Sequence, residues 1–344
     1  MIDKGGIEQE DEVLQLDIPI AIFPGLTSLR THFQGCAGRD GDTTKRLETL
    51  MQRLRSLGPI RPLRLPVVDW PQKLDELEEN FANFSAVINT IVRPHLFMLS
   101  SGHKHRMAPV VLIGPPGVGK TQFARELQSI FAVPAIFLMI AGETNGSALS
   151  GSSIFWGNSS PGQLFEFMAW GSAKFPGGGV ANPLVIVDEV DKSIAGHHDP
   201  LAALYTLLEQ ETAERFEDQS IPGLTCNMQY VTFVMTANDE RAIPAPLRSR
   251  VCEFQIAVPS PAQARKIATR IYASLWQKHD LGLNAVLPEE VLDQAALLSP
   301  REVKIRLEAA MAIAASRSLR RLDVAAWQLT APQAGTAKRR VGFI

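Results

Sequence analysis

The residues best suited to chemistry lie together in one stretch, Gly114-Pro115-Pro116-Gly117-Val118-Gly119-Lys120-Thr121, between the apolar run 109–113 and a segment, 122–131, patterned as a helix. Strand, glycine-rich loop, helix is the order that builds a phosphate cradle, a P-loop. Gly114, Gly117 and Gly119 let the backbone turn tightly enough to aim successive N–H groups inward. There they act with the positive end of the following helix on a polyphosphate. At this spacing Lys120 reaches the β- and γ-phosphates, and the Thr121 hydroxyl ligates Mg²⁺. Pro115 and Pro116 stiffen the entrance and remove N–H groups only where the cradle does not use them.

Two further strand-like runs end in polar residues that complete such a site. The run 184–187 delivers Asp188 and Glu189. An acidic pair after an apolar strand is common, but downstream of a phosphate loop it falls at the carboxyl edge of a parallel sheet, where ligands bind. Asp188 then holds the Mg²⁺ water shell, and Glu189 orients and polarises an attacking water. The run 231–235 ends in Thr236-Ala237-Asn238, which brings an amide to the same edge. Asn238 by itself can be a loop cap; beside this site it helps hold the water and the terminal phosphate. Before a fifth run, 251–256, stand Arg248 and Arg250, which are either solvated or complete the site of an adjacent subunit. Ser299-Pro300-Arg301 has the form of a helix start. A cation at that end is disfavoured by the helix dipole by up to ~1 kcal/mol, a penalty that a phosphate would remove.

The elements that must position these residues fall into blocks. With 344 residues, 45% of them hydrophobic and 20% charged, the chain has material for two domains with their own cores. Its net charge of -2 gives no overall basic excess for nucleic acid or an anionic membrane. Cys36, Cys226 and Cys252 are scattered without metal-ligand spacing and read as reduced packing residues. His103-Lys104-His105 and His197-His198 are loop residues lacking a third ligand, and Lys338-Arg339-Arg340 is a solvated basic tail. An acidic N-terminus and the lack of a long apolar run indicate a cytoplasmic protein without a membrane span. Residues 1–72, rich in glycine and proline, read as a poorly ordered arm in which only 43–57 is helical in pattern. Leu74, Leu77, Phe81, Phe84, Ile88 and Ile91 form one apolar stripe on a helix that Pro94 should end or kink. The run 135–140 is a second buried strand, and between it and the run 184–187 the segment 147–160 is small and polar apart from Ile154, Phe155 and Trp156, the two aromatic rings being either tucked under the domain or displayed. From Pro261 the pattern is helical: 262–278, 288–298, 301–316 and 324–329.

Taken in order, these motifs resemble an AAA+ ATPase over about residues 75–330, and more narrowly the ATPase module of Lon proteases. The narrower match lies in 182–192, 199–209, 216–218 and 243–250. The resemblance implies an α/β fold: a five-stranded parallel P-loop domain over 73–258, with its leading helix, then an all-α lid over 259–330 and a tail over 331–344. It implies ATP and Mg²⁺ as cofactors and a homo-oligomeric, hexameric ring. By it, Asp188 and Glu189 are the Walker B pair, Asn238 is sensor 1, Arg250 is the arginine finger acting in trans with Arg248 the second candidate, and Arg301 is sensor 2. Phe155 and Trp156 fall near the substrate-gripping pore loop, although one residue more precedes Pro161-Gly162 than in the Lon pattern. The serine–lysine peptidase that follows the lid in Lon has no counterpart before Ile344, so ATP hydrolysis without peptidase activity is expected. The expected function is a motor that remodels or threads a protein client or an effector subunit. A nucleic-acid-handling AAA+ ATPase of loader or integration type is the alternative, but it would need a basic inner surface. The segment 147–160 contains no Lys or Arg. A third possibility is a module that binds ATP only to assemble a complex.

Overall fold

Runs such as Leu184-Val185-Ile186-Val187 are apolar without alternation, so both of their faces must be covered, as in a parallel sheet with helices on each side. The computed structural model describes residues 17–26, 41–142, 146–154, 156, 158–171, 178–193 and 199–331. At its centre are Val110–Ile113 (β1), Ala135–Met139 (β2), Leu184–Asp188 (β3), Thr232–Ala237 (β4) and Cys252–Gln255 (β5). They form one sheet in the order β2-β3-β4-β1-β5, every neighbouring pair parallel, as the sequence predicts. β1, β4 and all of β3 but Asp188 are buried, whereas the edge strands β2 and β5 leave several residues in water. Because all five run the same way, the residues that follow β1, β3 and β4 meet at one edge.

The apolar stripe over 74–91 is real, but its helix is not continuous. Trp70–Asn80 ends where Phe81 takes φ -128° and ψ 50°; a 3₁₀ turn follows at Ala82–Phe84, then a π-helical turn at Ile88–Val92. Pro94 does not end the helix: the backbone is helical without a gap from Ser85 to Ser100, and the π-helical turn lies directly before Arg93–Ser100, whose first turn holds the proline, so the local departure is a widened turn rather than a stop. The break lets Phe84 stack on Phe123 of the phosphate-loop helix, centroids 4.4 Å apart, while Phe81 meets the same ring edge-on at 5.8 Å.

The described part of residues 1–72 corrects the expectation of a poorly ordered arm. Ile18–Ala21 pairs antiparallel with Ile60–Leu63, and between them lies the helix Gly41–Leu57. Ile20, Ile22, Phe23, Met51, Leu54 and Leu63 are buried in the main core. Local pattern missed this because the segment has little propensity of its own and is held by distant partners. Arg61, 4% exposed, is the main one. Its Nε donates to Met168 O and Ala169 O, at 3.1 and 2.8 Å, and its Nη1 donates to Gly58 O at 2.8 Å. It thus joins the end of Gly41–Leu57 to the end of the helix Gln163–Trp170. Arg53 lies over the Trp170 ring at 4.2 Å. Arg61→Ala is expected to destabilise the protein by about 3 kcal/mol in chemical denaturation, since several buried carbonyls lose their donor together. Arg61→Lys should recover only part of this, because a point cation cannot reach both helix ends. A loss below ~1 kcal/mol would show that the segment is not held in this way.

Residues 261–328 carry a separate core. The helices Pro261–Lys278, Glu289–Ala295, Pro300–Ser316 and Val324–Gln328 enclose Tyr272, Leu307, Met311 and Trp327. Two of these helices open with serine capping boxes, at Ser260 with Gln263 and at Ser299 with Glu302, each with proline in the first turn. Cys226 is buried, whereas Cys252 is exposed on an edge strand rather than packed. Cys36, His197, His198 and the basic tail lie outside the described residues. Among the described residues no helix is long and apolar enough to cross a membrane.

Candidate active site

The loop after β1 has the backbone that its glycines allow. Gly117 and Gly119 have φ 85° and 101°, in the left-handed region that L side chains rarely adopt. At Gly114 a Cβ would come within 2.4 Å of Ile256 O, so no side chain fits. Phe81 backs the cradle, 3.5 Å from where a Cβ of Gly119 would stand. That contact ties the broken helix of residues 70–100 to the loop.

Lys120 begins the helix Lys120–Phe131 and is 7% exposed. Its Nζ donates to Gly114 O at 2.6 Å, Pro115 O at 3.0 Å and Asn238 Oδ1 at 2.9 Å. These acceptors are neutral oxygens, so a buried cation is held in the cradle without a carboxylate hydrogen-bonded to it. Burial lowers its pKa, and the nearby charges of Asp188, Asp191 and Glu189 oppose that fall. A polyphosphate at the loop would supply the missing anion.

Asp188 and Glu189 leave β3 in different directions. Thr121 Oγ1 donates to the Asp188 carboxylate, 3.0 Å from Oδ1 and 3.1 Å from Oδ2. Thr236 Oγ1 donates to Asp188 Oδ1 from β4. Glu189 has φ 58°, which for a residue with a side chain costs roughly 1–2 kcal/mol. Such an outlier beside a phosphate loop points to function. Its N–H is accepted by Thr236 Oγ1 at 3.1 Å. A hydroxyl and a carboxylate in contact are hard oxygen donors of the kind Mg²⁺ takes, so Thr121 and Asp188 fit that ion.

The first turn of Pro300–Ser316 faces the loop. A Cβ on Gly117 would lie 3.4 Å from Ser299 Cβ and 3.9 Å from Arg301 Cβ. Arg301 thus stands beside the glycine loop, across a separation of some 180 residues. Between the two lies a cleft of about 160 Å³, lined by Pro115, Pro116, Val118, Ile267, Leu298 and Val303 among others. Its walls are apolar where the loop is polar, which suits a ligand with a flat base and a charged tail.

Arg248 and Arg250 are not hydrogen-bonded to Lys120, Asp188, Glu189 or Asn238. Arg248 is held by Glu253, with Nε and Nη2 at 2.7 and 2.8 Å from its two oxygens. Arg250 pairs with Glu209 at 2.7 Å and donates to Pro246 O at 2.7 Å, while its buried Nε has no hydrogen-bond partner among the described residues. Trp156 is 68% exposed, on a loop closed at its base. Ser152 N donates to Ser160 O at 3.0 Å, Ser159 Oγ donates to Ser152 O at 2.8 Å, and Arg46 Nη1 reaches Ser159 O at 2.9 Å. Leu164, Phe165 and Met168, the apolar face that might have covered the ring, are buried without it. Phe155, the other proposed gripping residue, lies outside the described residues.

Sequence reasoning missed three residues here. Thr236 was read only as part of a strand end. Asp191 is a third carboxylate near this edge and, unlike the half-buried Asp188 and Glu189, is buried, its Oδ2 accepting from Asp239 N at 3.3 Å and its Oδ1 unpartnered among the described residues. Glu209 holds Arg250. Asp191 alone had a local signal, an acid three residues after Asp188.

A phosphate loop with two carboxylates and an amide at one edge of a parallel sheet defines a P-loop nucleotide-binding protein. Residues 110–260 match the ATPase family associated with various cellular activities (AAA). Lon protease 1 of Herpetosiphon aurantiacus is 29% identical over 227 residues, 65% of this chain and 26% of that protein. Lon protease homolog 1, mitochondrial, of Arabidopsis thaliana is 33% identical over 192 residues, 55% and 19% respectively. The matched region thus spans about a quarter or less of these relatives. Among solved structures, a point mutant of Thermotoga maritima RuvB superposes with a TM-score of 0.51 at 16% identity, covering 75% of this chain and 71% of that one; this likeness concerns the fold alone. The chain carries an AAA+ ATPase domain that resembles the ATPase module of Lon proteases.

Proposed function

We propose that this chain is an ATP-hydrolysing AAA+ motor that works as a hexameric ring and remodels or threads a protein partner. The observation that carries the hydrolytic half is the meeting of Lys120, Thr121, Asp188, Glu189 and Asn238 at one sheet edge, linked by the hydrogen bonds of Lys120 and Thr121. In this reading the Gly114–Thr121 backbone and Lys120 bind the phosphates of ATP, and Arg301 approaches them from the helical lid. Thr121 and Asp188 hold Mg²⁺, which when bound neutralises charge on the transferred phosphate. Glu189 takes the proton of the attacking water and Asn238 orients that water. Phosphoryl transfer asks for positioning and charge neutralisation, and these residues supply both. The ring is supported by Arg250, whose contacts lie away from its own chain's Asp188 and Glu189.

Grip on a protein is supported by Trp156, an aromatic ring held out on a stapled loop. Such a ring holds extended polypeptide by apolar contact without needing a sequence. Trp156→Ala is expected to change stability by no more than ~0.5 kcal/mol and to abolish stimulation of ATP turnover by casein, an unfolded protein. A large loss of stability would return Trp156 to the core. Salt-dependent stimulation by single-stranded DNA or RNA, lost in the same variant, would favour the nucleic-acid alternative instead.

A further inference from the structure

We propose that Thr236 is a positioning residue for hydrolysis, one hydroxyl that sets Asp188 and Glu189 relative to each other. This rests on the ATPase reading above. β3 and β4 pair in register through Val187 and Met235, so the next residues, Asp188 and Thr236, stand side by side at the sheet edge. Thr236 is buried, 1% exposed, so its hydroxyl must be satisfied from within the protein. A hydroxyl has one proton to give and lone pairs to receive. Thr236 gives its proton to Asp188 Oδ1 and receives the N–H of Glu189 at 3.1 Å.

The consequence for each carboxylate differs. Asp188 is held between two threonine hydroxyls, Thr121 on the phosphate-loop helix and Thr236 on β4, which leaves it one orientation toward the metal side of the site. Glu189 leaves β3 in the left-handed region, and its own N–H bond to Thr236 lies on the strand-facing side of that turn. Without the hydroxyl, the peptide of Glu189 loses its acceptor and Asp188 loses a donor in the same step. Thr236 has no hydrogen bond to the phosphate cradle; that link from β4 is made by the Ala237 carbonyl, which accepts from Gly114 N at 3.2 Å, and by Asn238. Thr236 therefore acts on turnover and on metal use, and leaves phosphate binding intact.

The test compares Thr236→Val, which keeps the shape and loses the hydroxyl, with Thr236→Ser, which keeps the hydroxyl and loses the methyl. On the full chain, steady-state turnover is measured against ATP and against Mg²⁺, and affinity is measured with a fluorescent ATP analogue. Thr236→Val is expected to lower kcat by roughly tenfold or more, to raise the Mg²⁺ concentration for half-maximal rate, and to leave analogue affinity within about twofold. Thr236→Ser should recover most of kcat. Equal losses in both variants would mean that methyl packing is what matters, and would overturn the proposal. So would a kcat for Thr236→Val within about twofold of the parent with unchanged Mg²⁺ dependence. If Thr236→Val is not recovered folded, Thr236→Ala against Thr236→Ser makes the same comparison. Glu189→Gln run in parallel separates the two levels of the argument. If it turns over at the parental rate, the assignment of this site as the hydrolytic one, on which the proposal rests, fails; if it is inactive while Thr236→Val is not impaired, the positioning role alone fails.

Discussion

Glu189→Gln is expected to stop ATP turnover while leaving nucleotide binding in place, and Lys120→Ala to abolish binding and with it turnover. The difference follows from what each side chain offers. Gln has the shape of Glu and leaves the left-handed backbone at 189 and its bond to Thr236 undisturbed, but it cannot accept a proton from water. Removing a general base costs roughly two to four orders of magnitude in rate. Lys120 is the buried cation of the cradle, held by Gly114 O, Pro115 O and Asn238 Oδ1. Alanine there leaves those acceptors without a donor and the phosphates without a counter-charge. Titration with a fluorescent nucleotide and measurement of phosphate release separate the two variants. A Glu189→Gln protein that hydrolyses near the parental rate would remove Glu189 from the mechanism.

Arg250→Ala is expected to lose roughly three orders of magnitude of turnover, as removal of an arginine finger does, with ATP binding retained by each subunit. In its own chain Arg250 is occupied by Glu209 and Pro246 O, and its buried Nε has no partner among the described residues. A guanidinium presents five donors in a planar fork, so it can keep part of this support and still present an edge to a phosphate on a neighbour. Mixing Arg250→Ala subunits with Lys120→Ala subunits should restore activity at interfaces where an intact cradle meets an intact finger. Absence of rescue, once subunit exchange is demonstrated, would count against action in trans. Arg248→Ala provides the comparison: bound by both oxygens of Glu253 on the surface, Arg248 should matter far less. A full loss there would move the finger by two residues.

Much of the fold and of the hydrolytic site is legible in the sequence, because the relevant signals are local. A cradle of eight consecutive residues, unbroken apolar runs ended by acids or an amide, and helix starts with serine and proline each declare themselves within a dozen residues. All five central strands and the four helices of residues 261–328 lie within a few residues of their expected bounds. The N-terminal segment was illegible for the opposite reason. Its strands are short and rich in proline, and they stand because Arg61 reaches carbonyls of residues 168 and 169 and because Phe23 meets Phe165, centroids 5.6 Å apart. The stripe over 74–91 shows an intermediate case, in which periodicity identified the buried face but not the break at Phe81.

By itself the sequence determined the side chains available to a phosphate site: the glycine loop with Lys120, the acids at a strand end, and the helix that opens with Arg301. Tertiary structure alone decided how those groups constrain one another. Thr236 and Asp188 are 48 residues apart, and only the β3–β4 register puts a hydroxyl against that carboxylate. Trp156 reads the same in sequence whether buried or displayed; the packing of Leu164, Phe165 and Met168 against other partners left it in water. Local spacing specifies side chains along one element, whereas burial and orientation depend on which distant surfaces a fold brings together, and no window of sequence contains both.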